Sequence, residues 1–299
     1  MEADMSGNSN TSQNGSTEVS RSETPLNASV QTFAPGQALQ ISSSSAIVTN
    51  GINGTHSHPA SASANPTLQT TLRTLPTTIS ITTERTSPAA DPTRPLFLTP
   101  ILTSPITPQV WTTTILAYIR SLTFTLASTT DIYYFTAILR SPIPDFPPLF
   151  LASNITTLSL PGFHWFSGIS LNRVSNPYLT LSTHLPSLSH LSFTLHSASV
   201  TTSVWGERQM VEMERADPTR ARARKTLRVA AVCETYDLKA LFLCTALQKV
   251  RVVYVRSETV EGFTVVGEPE GVVREVGEWV REGFRGLGRV VEVKVVREG

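Results

Sequence analysis

Stretches of the chain that share one apolar pattern are its most regular sequence feature. In each, an apolar residue is followed three positions later by an apolar residue that opens a period-two alternation. The clear copies are Ile119–Leu126, Ile155–Leu160, Leu188–Leu195 and Leu247–Tyr254, and a weaker copy runs from Leu287 to Val295. Alternation of period two places the apolar side chains on one face of a strand. The pattern therefore predicts five strands, each with one buried face.

Helical periodicity occupies the segments between these strands. The predicted helices are Gln109–Arg120, Asp131–Arg140, Pro218–Ala246 and Val272–Phe284. Asp217 is the expected N-cap of the third helix, with Pro218 at its first position. Strands that alternate with helices predict a parallel sheet with the helices packed on one side.

The spacing of the copies refines the fold prediction. The equivalent positions are separated by 36, 33, 59 and 40 residues, and they are Leu122, Leu158, Leu191, Val250 and Val290. Leucine-rich repeats share this motif but run ~20–29 residues, so the 59-residue step is expected to hold an extra element. We predict an α/β fold, an irregular leucine-rich-repeat-like solenoid. The alternative is an ordinary α/β sheet in which the motifs are coincidental.

A Ser/Thr-rich segment precedes the repeats. Residues 1–95 contain 32 Ser or Thr residues, and Phe33 is their only aromatic residue. So little apolar surface does not offset the entropy of ordering a chain, which is roughly 1–2 kcal/mol per residue. We predict a disordered N-terminal arm over 1–95, including the apolar island Ile79–Ile81, and one domain over 96–299.

Segments of the repeat region resemble a known family. Asn154–Pro161, His184–His196 and Cys244–Tyr254 are similar to the irregular repeats of fungal F-box and leucine-rich-repeat-like proteins, over about residues 110–299. The resemblance implies an irregular repeat scaffold. Members usually carry an N-terminal F-box that binds a ubiquitin-ligase adaptor. Because the arm shows no such module, we carry over the scaffold and not the adaptor role.

Charge and cysteine content narrow the classes of partner. The formal net charge is +1, from 24 basic and 23 acidic residues, which provides no long-range field for nucleic acid or an anionic membrane. Cys233 and Cys244 lie in an apolar stretch and are expected to be buried free thiols of a reducing compartment. Met1–Asp4 shows no secretory signal, and no apolar run reaches the ~18 residues of a membrane span. We expect a cytoplasmic or nuclear monomer without membrane contact.

Catalytic and metal chemistry have little support in the sequence. His184, His190 and His196 recur every six residues, about 20 Å apart on an extended chain, without acidic or cysteine partners. Neither a nucleophile elbow nor a phosphate-binding loop is present. We predict no catalytic, cofactor or metal residues. A divergent α/β enzyme that uses Glu234, Asp237 or a histidine is one alternative.

An aromatic cluster is the first candidate contact site. It consists of Phe163, His164, Trp165 and Phe166, and it follows a predicted strand. Loops at strand ends often form binding rims, where aromatic side chains act as anchors. The competing interpretation, which we prefer, is that these rings cover the end of the core.

A basic run is the second candidate contact site. In the predicted helix, Arg220, Arg224 and Arg228 share one face. Two alternative interpretations of this face are a nucleic-acid interface and a docking site for an acidic protein. We favour a solvated face that upstream acidic residues neutralise, namely Glu207, Glu212, Glu214 and Asp217. The function predicted from the sequence is a non-enzymatic protein–protein interaction module.

Overall fold

The structure is a computed structural model that describes residues 72–101, 107–142, 151–164 and 175–298. The chain divides into two compact units, residues 1–58 and 59–299, and every described residue belongs to the second. Most of the predicted arm, residues 1–71, lies outside the described residues.

Among the described residues, six strands form one parallel sheet, and their order across the sheet is their order along the chain. The strands are β1 (Thr78–Ser80), β2 (Thr123–Thr125), β3 (Thr157–Leu160), β4 (His190–His196), β7 (Lys249–Val255) and β9 (Glu292–Glu298). A second, smaller sheet joins β5 (Thr201–Ser203), β6 (Arg224–Thr226) and β8 (Val265–Val266) in that order. The fold is therefore α/β, as predicted, with an additional small sheet.

One face of the large sheet builds the core. The central row of paired residues is buried on every strand, and it consists of Ile79, Phe124, Leu158, Leu191, Val250 and Val293. The next apolar row, Leu160, Phe193 and Val252, is also buried. Because side chains alternate across a strand, the polar residues between these rows lie on the opposite face. We call the two sides the core face and the open face.

The described helices lie in the connections between the strands, and some of them pack against the core face. They are α1 (Ile81–Thr86), α2 (Pro108–Val110), α3 (Leu116–Ser121), α4 (Thr129–Arg140), α5 (Pro177–Thr183), α6 (Glu207–Ala216), α7 (Pro218–Ala221), α8 (Val229–Thr235) and α9 (Pro269–Gly286). A π-helical segment, Trp111–Ile115, joins α2 to α3. Phe135 of α4 packs on Phe124 with ring centroids 5.1 Å apart, and Gly277 of α9 lies against Val295 of β9.

Short 3₁₀ segments complete the connections between strands. They are Ala152–Asn154, Ser197–Val200, Leu238–Leu243 and Glu258–Val260. The strands of the sheet follow one another in one direction. Right-handed connections between such parallel strands all cross the same face of the sheet, and α4 and α9 both lie on that face.

A buried carboxylate fixes the start of α4. Ser128 and Asp131 form a capping box, and the Asp131 carboxylate, fully buried, also accepts hydrogen bonds from Thr82 and Arg85 of α1. Burial by itself raises the pKa of Asp131, but these hydrogen bonds together with those from Ser128 and the Ala127 amide hold that pKa below its usual value. The carboxylate therefore ties α1 to α4.

The boundary of the predicted arm requires a correction. Residues 72–95 were expected to be disordered, yet Thr78–Ser80 forms β1 and pairs with β2. Ile79 and Ile81 are buried. Two apolar side chains and a neighbouring strand stabilise this segment, which composition alone does not reveal.

The predicted register holds for three strands and is wrong for two. Leu158, Leu191 and Val250 pair as expected. Their partner on β2 is Phe124 instead of Leu122, and on β9 it is Val293 instead of Val290. Val290 is 101% exposed, because the turn that follows α9 extends past Gly288, whose φ is +69°.

The 59-residue step between β4 and β7 contains the extra element that the spacing predicts. Asp217 caps a helix that Pro218 begins, as expected, but that helix ends at Ala221. A strand and a second helix follow, so the single helix predicted over Pro218–Ala246 is wrong. Residues 201–228, which we call the insertion, comprise β5, α6, α7 and β6.

Candidate interaction surfaces

The open face of the large sheet presents two rows of polar side chains that run across all six strands. The lower row is Thr78, Thr123, Thr157, His190, Lys249 and Glu292; the upper row is Ser80, Thr125, Ser159, Ser192, Arg251 and Lys294. These side chains are half-buried or exposed. The next residues upward, Thr194 and Val253, are buried. The two polar rows are therefore the positions that all six strands contribute to the open face.

The character of these rows changes along the sheet. Strands β1 to β3 contribute only hydroxyl groups, whereas β7 and β9 contribute charges. Lys249 pairs with Glu292 at 2.9 Å and Arg251 with Glu298 at 2.7 Å. Lys294 has no ion-pair partner within the described ranges, and it lines a cavity of about 280 Å³ with Lys249, Arg251, Glu292 and Val296. The β9 end of the open face thus carries one cation, Lys294, beyond those that its described carboxylates pair.

A larger cavity of about 600 Å³ lies between α4 and α5. Its described lining is mostly apolar, with Ile132, Leu139 and Leu181, and it includes His184 and Arg140. The described lining contains neither Glu234 nor Asp237. The residues suggested for an enzyme are therefore not brought together in this cavity.

The structure divides the predicted aromatic cluster. Phe163 is fully buried and packs against Tyr178, Phe193 and Tyr236, with ring centroids 4.9 to 5.6 Å apart. It belongs to the core, as the preferred interpretation has it. His164 is exposed, and its Nδ1 lies 2.6 Å from the Gly162 carbonyl oxygen. Trp165 and Phe166 lie outside the described residues.

The predicted arginine face is not formed. Arg220 lies in α7, Arg224 in β6, and Arg228 just before α8, so no single helix carries all three. Arg224 turns inward: its Nε donates to Thr201 Oγ1 at 2.9 Å, and its Nη2 donates to the Thr201 carbonyl at 2.8 Å. Burial lowers the pKa of this guanidinium. Arg224 therefore holds the insertion together, while Arg220 and Arg228 remain exposed.

The histidines and the suggested acidic residues stay apart. His184 caps α5, whereas His190 and His196 stand at the two ends of β4. Asp237 supports the fold, because its Oδ2 lies 3.5 Å from the Asn176 amide at the start of α5. Within the part of the chain that the structure describes, no three His, Cys, Asp or Glu side chains gather into a possible metal site.

Both cysteines are free and buried, as predicted. Burial raises the pKa of each thiol to about 11. A thiol with that pKa is almost entirely protonated near neutrality and therefore a poor nucleophile. Cys233 and Cys244 are packing residues.

Sequence reasoning missed the polar rows of the open face. The signal was present, since these residues are the positions between the apolar ones of the repeat, such as Thr123 and Thr125 around Phe124. The rows become visible when the polar positions of one repeat are aligned with the equivalent positions of the next repeat.

Comparisons with known proteins provide no relative: no family model matches the chain, and neither a curated protein nor a solved structure matches it. No helix in the described ranges is long and apolar enough to cross a membrane.

Proposed function

We propose that this chain is a protein–protein interaction module, an irregular leucine-rich-repeat-like solenoid whose open face binds a partner protein. The observation that carries the proposal is the pair of polar rows that crosses six parallel strands in chain order. Each strand takes part with equivalent positions, as expected of a repeat scaffold that offers one continuous surface.

The dimensions of the open face fit an extended or flat partner. Neighbouring strands lie ~4.8 Å apart, so six strands span about 24 Å. That length matches about seven residues of an extended peptide at ~3.3 Å per residue. Hydroxyl groups both donate and accept hydrogen bonds, so β1 to β3 suit backbone and polar side-chain groups of a partner. Lys294 and its neighbours suit an acidic group of the partner at the other end.

The test is a matched pair of double variants in the full chain. Thr125→Arg with Ser159→Arg places two bulky cations in the centre of the open face. Thr112→Arg with Thr130→Arg makes a similar change on exposed positions of the helical side. Quantitative affinity capture from the native cells is compared for both variants and the unmodified chain, after circular dichroism has shown that all three fold alike.

We expect the proteins captured by the unmodified chain to be retained by the helical-side variant and lost from the open-face variant. Equal retention by both variants contradicts the proposal. The proposal is also contradicted if the unmodified chain captures no protein and the purified chain turns over a substrate.

A further inference from the structure

The insertion carries exposed cations that lack a carboxylate partner. Arg220, Arg222, Lys225 and Arg228 are exposed, and none of them forms an ion pair with a described residue. The acidic residue nearest in sequence does not neutralise them: the Asp217 carboxylate accepts hydrogen bonds from the amides of Thr219 and Arg220 instead. The insertion therefore exposes positive charge that no described carboxylate neutralises.

Aromatic rings hold two of these guanidinium groups in place. Arg220 lies over Trp205 at 5.5 Å from the ring centroid, and Arg222 lies over Phe263 at 5.8 Å. The Trp205 ring is itself fixed, because its Nε1 donates to the Arg220 carbonyl at 2.9 Å. A guanidinium that stacks on a ring keeps its N–H donors free at its edge, and this planar fork matches a carboxylate. Both arginines are thus positioned in advance for carboxylate groups.

Exposed apolar side chains stand beside the cations. Val266 pairs across the small sheet with Lys225 and is 63% exposed. Val204, next to Trp205, is 37% exposed, and Val211 of the adjacent helix α6 is 50% exposed. No described residue of α6 is buried. The surface therefore combines unpaired cations with apolar side chains.

We propose that this surface of the insertion is a second docking site, which binds a peptide segment rich in Asp or Glu with interspersed apolar residues. We call it the basic site and define it by Arg220, Arg222, Lys225 and Arg228. Charge complementarity selects the acidic residues, and Val204, Val211 and Val266 accept the apolar ones. The occupant comes from a partner protein, because residues 1–71 of this chain contain only four acidic residues.

A peptide fits the basic site better than a nucleic acid does. Glu212 and Glu214 are exposed on α6, which packs against α7. These carboxylates repel a continuous phosphate backbone, whereas a peptide places its charges individually. Nucleic-acid affinity also grows with the number of phosphates neutralised, and this site offers four cations.

The experiment measures fluorescence anisotropy of a labelled ten-residue peptide of eight Glu and two Leu with the full chain. A peptide with Gln in place of Glu is the neutral probe, and a 20-base-pair DNA duplex and a 20-nucleotide RNA are the nucleic-acid probes. The test variant combines Arg220→Glu, Arg222→Glu and Lys225→Glu. The matched control combines Arg94→Glu, Lys239→Glu and Arg285→Glu, three exposed cations outside the insertion with the same change in net charge.

We expect salt-sensitive binding of the acidic peptide that weakens at least tenfold in the test variant and less than threefold in the control. A milder variant, Arg220→Lys with Arg222→Lys, keeps the charge but loses the fork, and should weaken binding measurably. Three results would overturn the proposal. They are equal weakening in the test and control variants, an acidic peptide that binds no more tightly than the Gln peptide, and DNA or RNA that binds more tightly than the acidic peptide. The open-face variant Thr125→Arg with Ser159→Arg should leave peptide binding unchanged, which separates this inference from the proposed function.

Discussion

The large sheet and the insertion are held together by different forces. The core face of the sheet packs aromatic and branched aliphatic side chains that are almost all buried, whereas within the insertion Thr201 and Ala221 are the described residues that reach that degree of burial. The insertion relies on the hydrogen bonds of Arg224 and on the stacking of Arg220 over Trp205. The comparison indicates that the sheet sets the global stability and that the insertion is a locally stabilised attachment that carries charge.

The largest expected effect comes from removing a core ring. Phe193 is fully buried and packs on Phe163 at 4.9 Å, so Phe193→Ala should lower the free energy of unfolding by about 3–5 kcal/mol. The control is Tyr133→Ala, because that ring is 68% exposed and its loss should change stability by no more than about 0.5 kcal/mol. Urea unfolding monitored by circular dichroism measures both. Similar losses for the two variants break the comparison.

The next effect concerns the buried carboxylate. Asp131→Asn leaves Arg85 without its partner and should cost about 3 kcal/mol at pH 7. Because the pKa of Asp131 in the folded chain lies below its unfolded value of about 3.8, its contribution is complete above that value and is lost as the pH falls through the folded pKa.

Urea midpoints measured between pH 7 and pH 2.5 test this prediction. The unmodified chain should lose stability below about pH 4 more steeply than the Asp131→Asn variant, because the variant has no carboxyl group at position 131 to take up a proton. Glu282→Gln, a change at an exposed acidic residue without a described partner, should behave as the unmodified chain. Parallel pH profiles for all three chains show that Asp131 does not act in this way.

The smallest effect should be confined to the insertion. Arg224→Met removes hydrogen bonds to Thr201 and should weaken local stability by about 1–2 kcal/mol. Amide hydrogen exchange should accelerate about tenfold in residues 201–226 and stay unchanged in β4 and β7. Arg228→Met is the control with no expected change. Faster exchange throughout the large sheet means that the insertion is not a separate stability unit.

Sequence reasoning found the strands in which apolar alternation is complete. Phe124, Leu158, Leu191 and Val250 lie in unbroken alternating runs, and the buried face of β2, β3, β4 and β7 follows directly from them. It missed β1, because only Ile79 within that strand is apolar and its neighbours resemble the Ser/Thr-rich arm. A short edge strand depends on its neighbour for stability, and that information is not local.

The errors in the prediction for residues 218–299 have local causes. The strand after α9 was placed too early, although Gly286 and Gly288 are typical helix-ending residues that favour a later start. The arginines were placed on a helix, although Arg and Ala alternate with period two from Arg220 to Arg224. That alternation fits the strand in which Arg224 lies. Which arginine turns inward depends on Thr201, a residue distant in sequence, so no local pattern reveals it.

The neighbouring position of β4 and β7, across the 59-residue step, is the central claim, because it makes the open face continuous. Ser192 and Arg251 are paired positions on these strands, and adjacent strands lie ~4.8 Å apart, within the usual range for a disulfide. Cys233 and Cys244 do not interfere, since both are buried and have a pKa of about 11.

The decisive measurement is therefore a disulfide test in the folded chain. Ser192→Cys with Arg251→Cys should crosslink under mild oxidation, as shown by mass spectrometry of the linked peptides. Ser159→Cys with Arg251→Cys, which lie two strands apart at about 9.6 Å, should not crosslink. Absence of the first link, or equal formation of the second, contradicts the order of the strands and the continuous polar surface built on it.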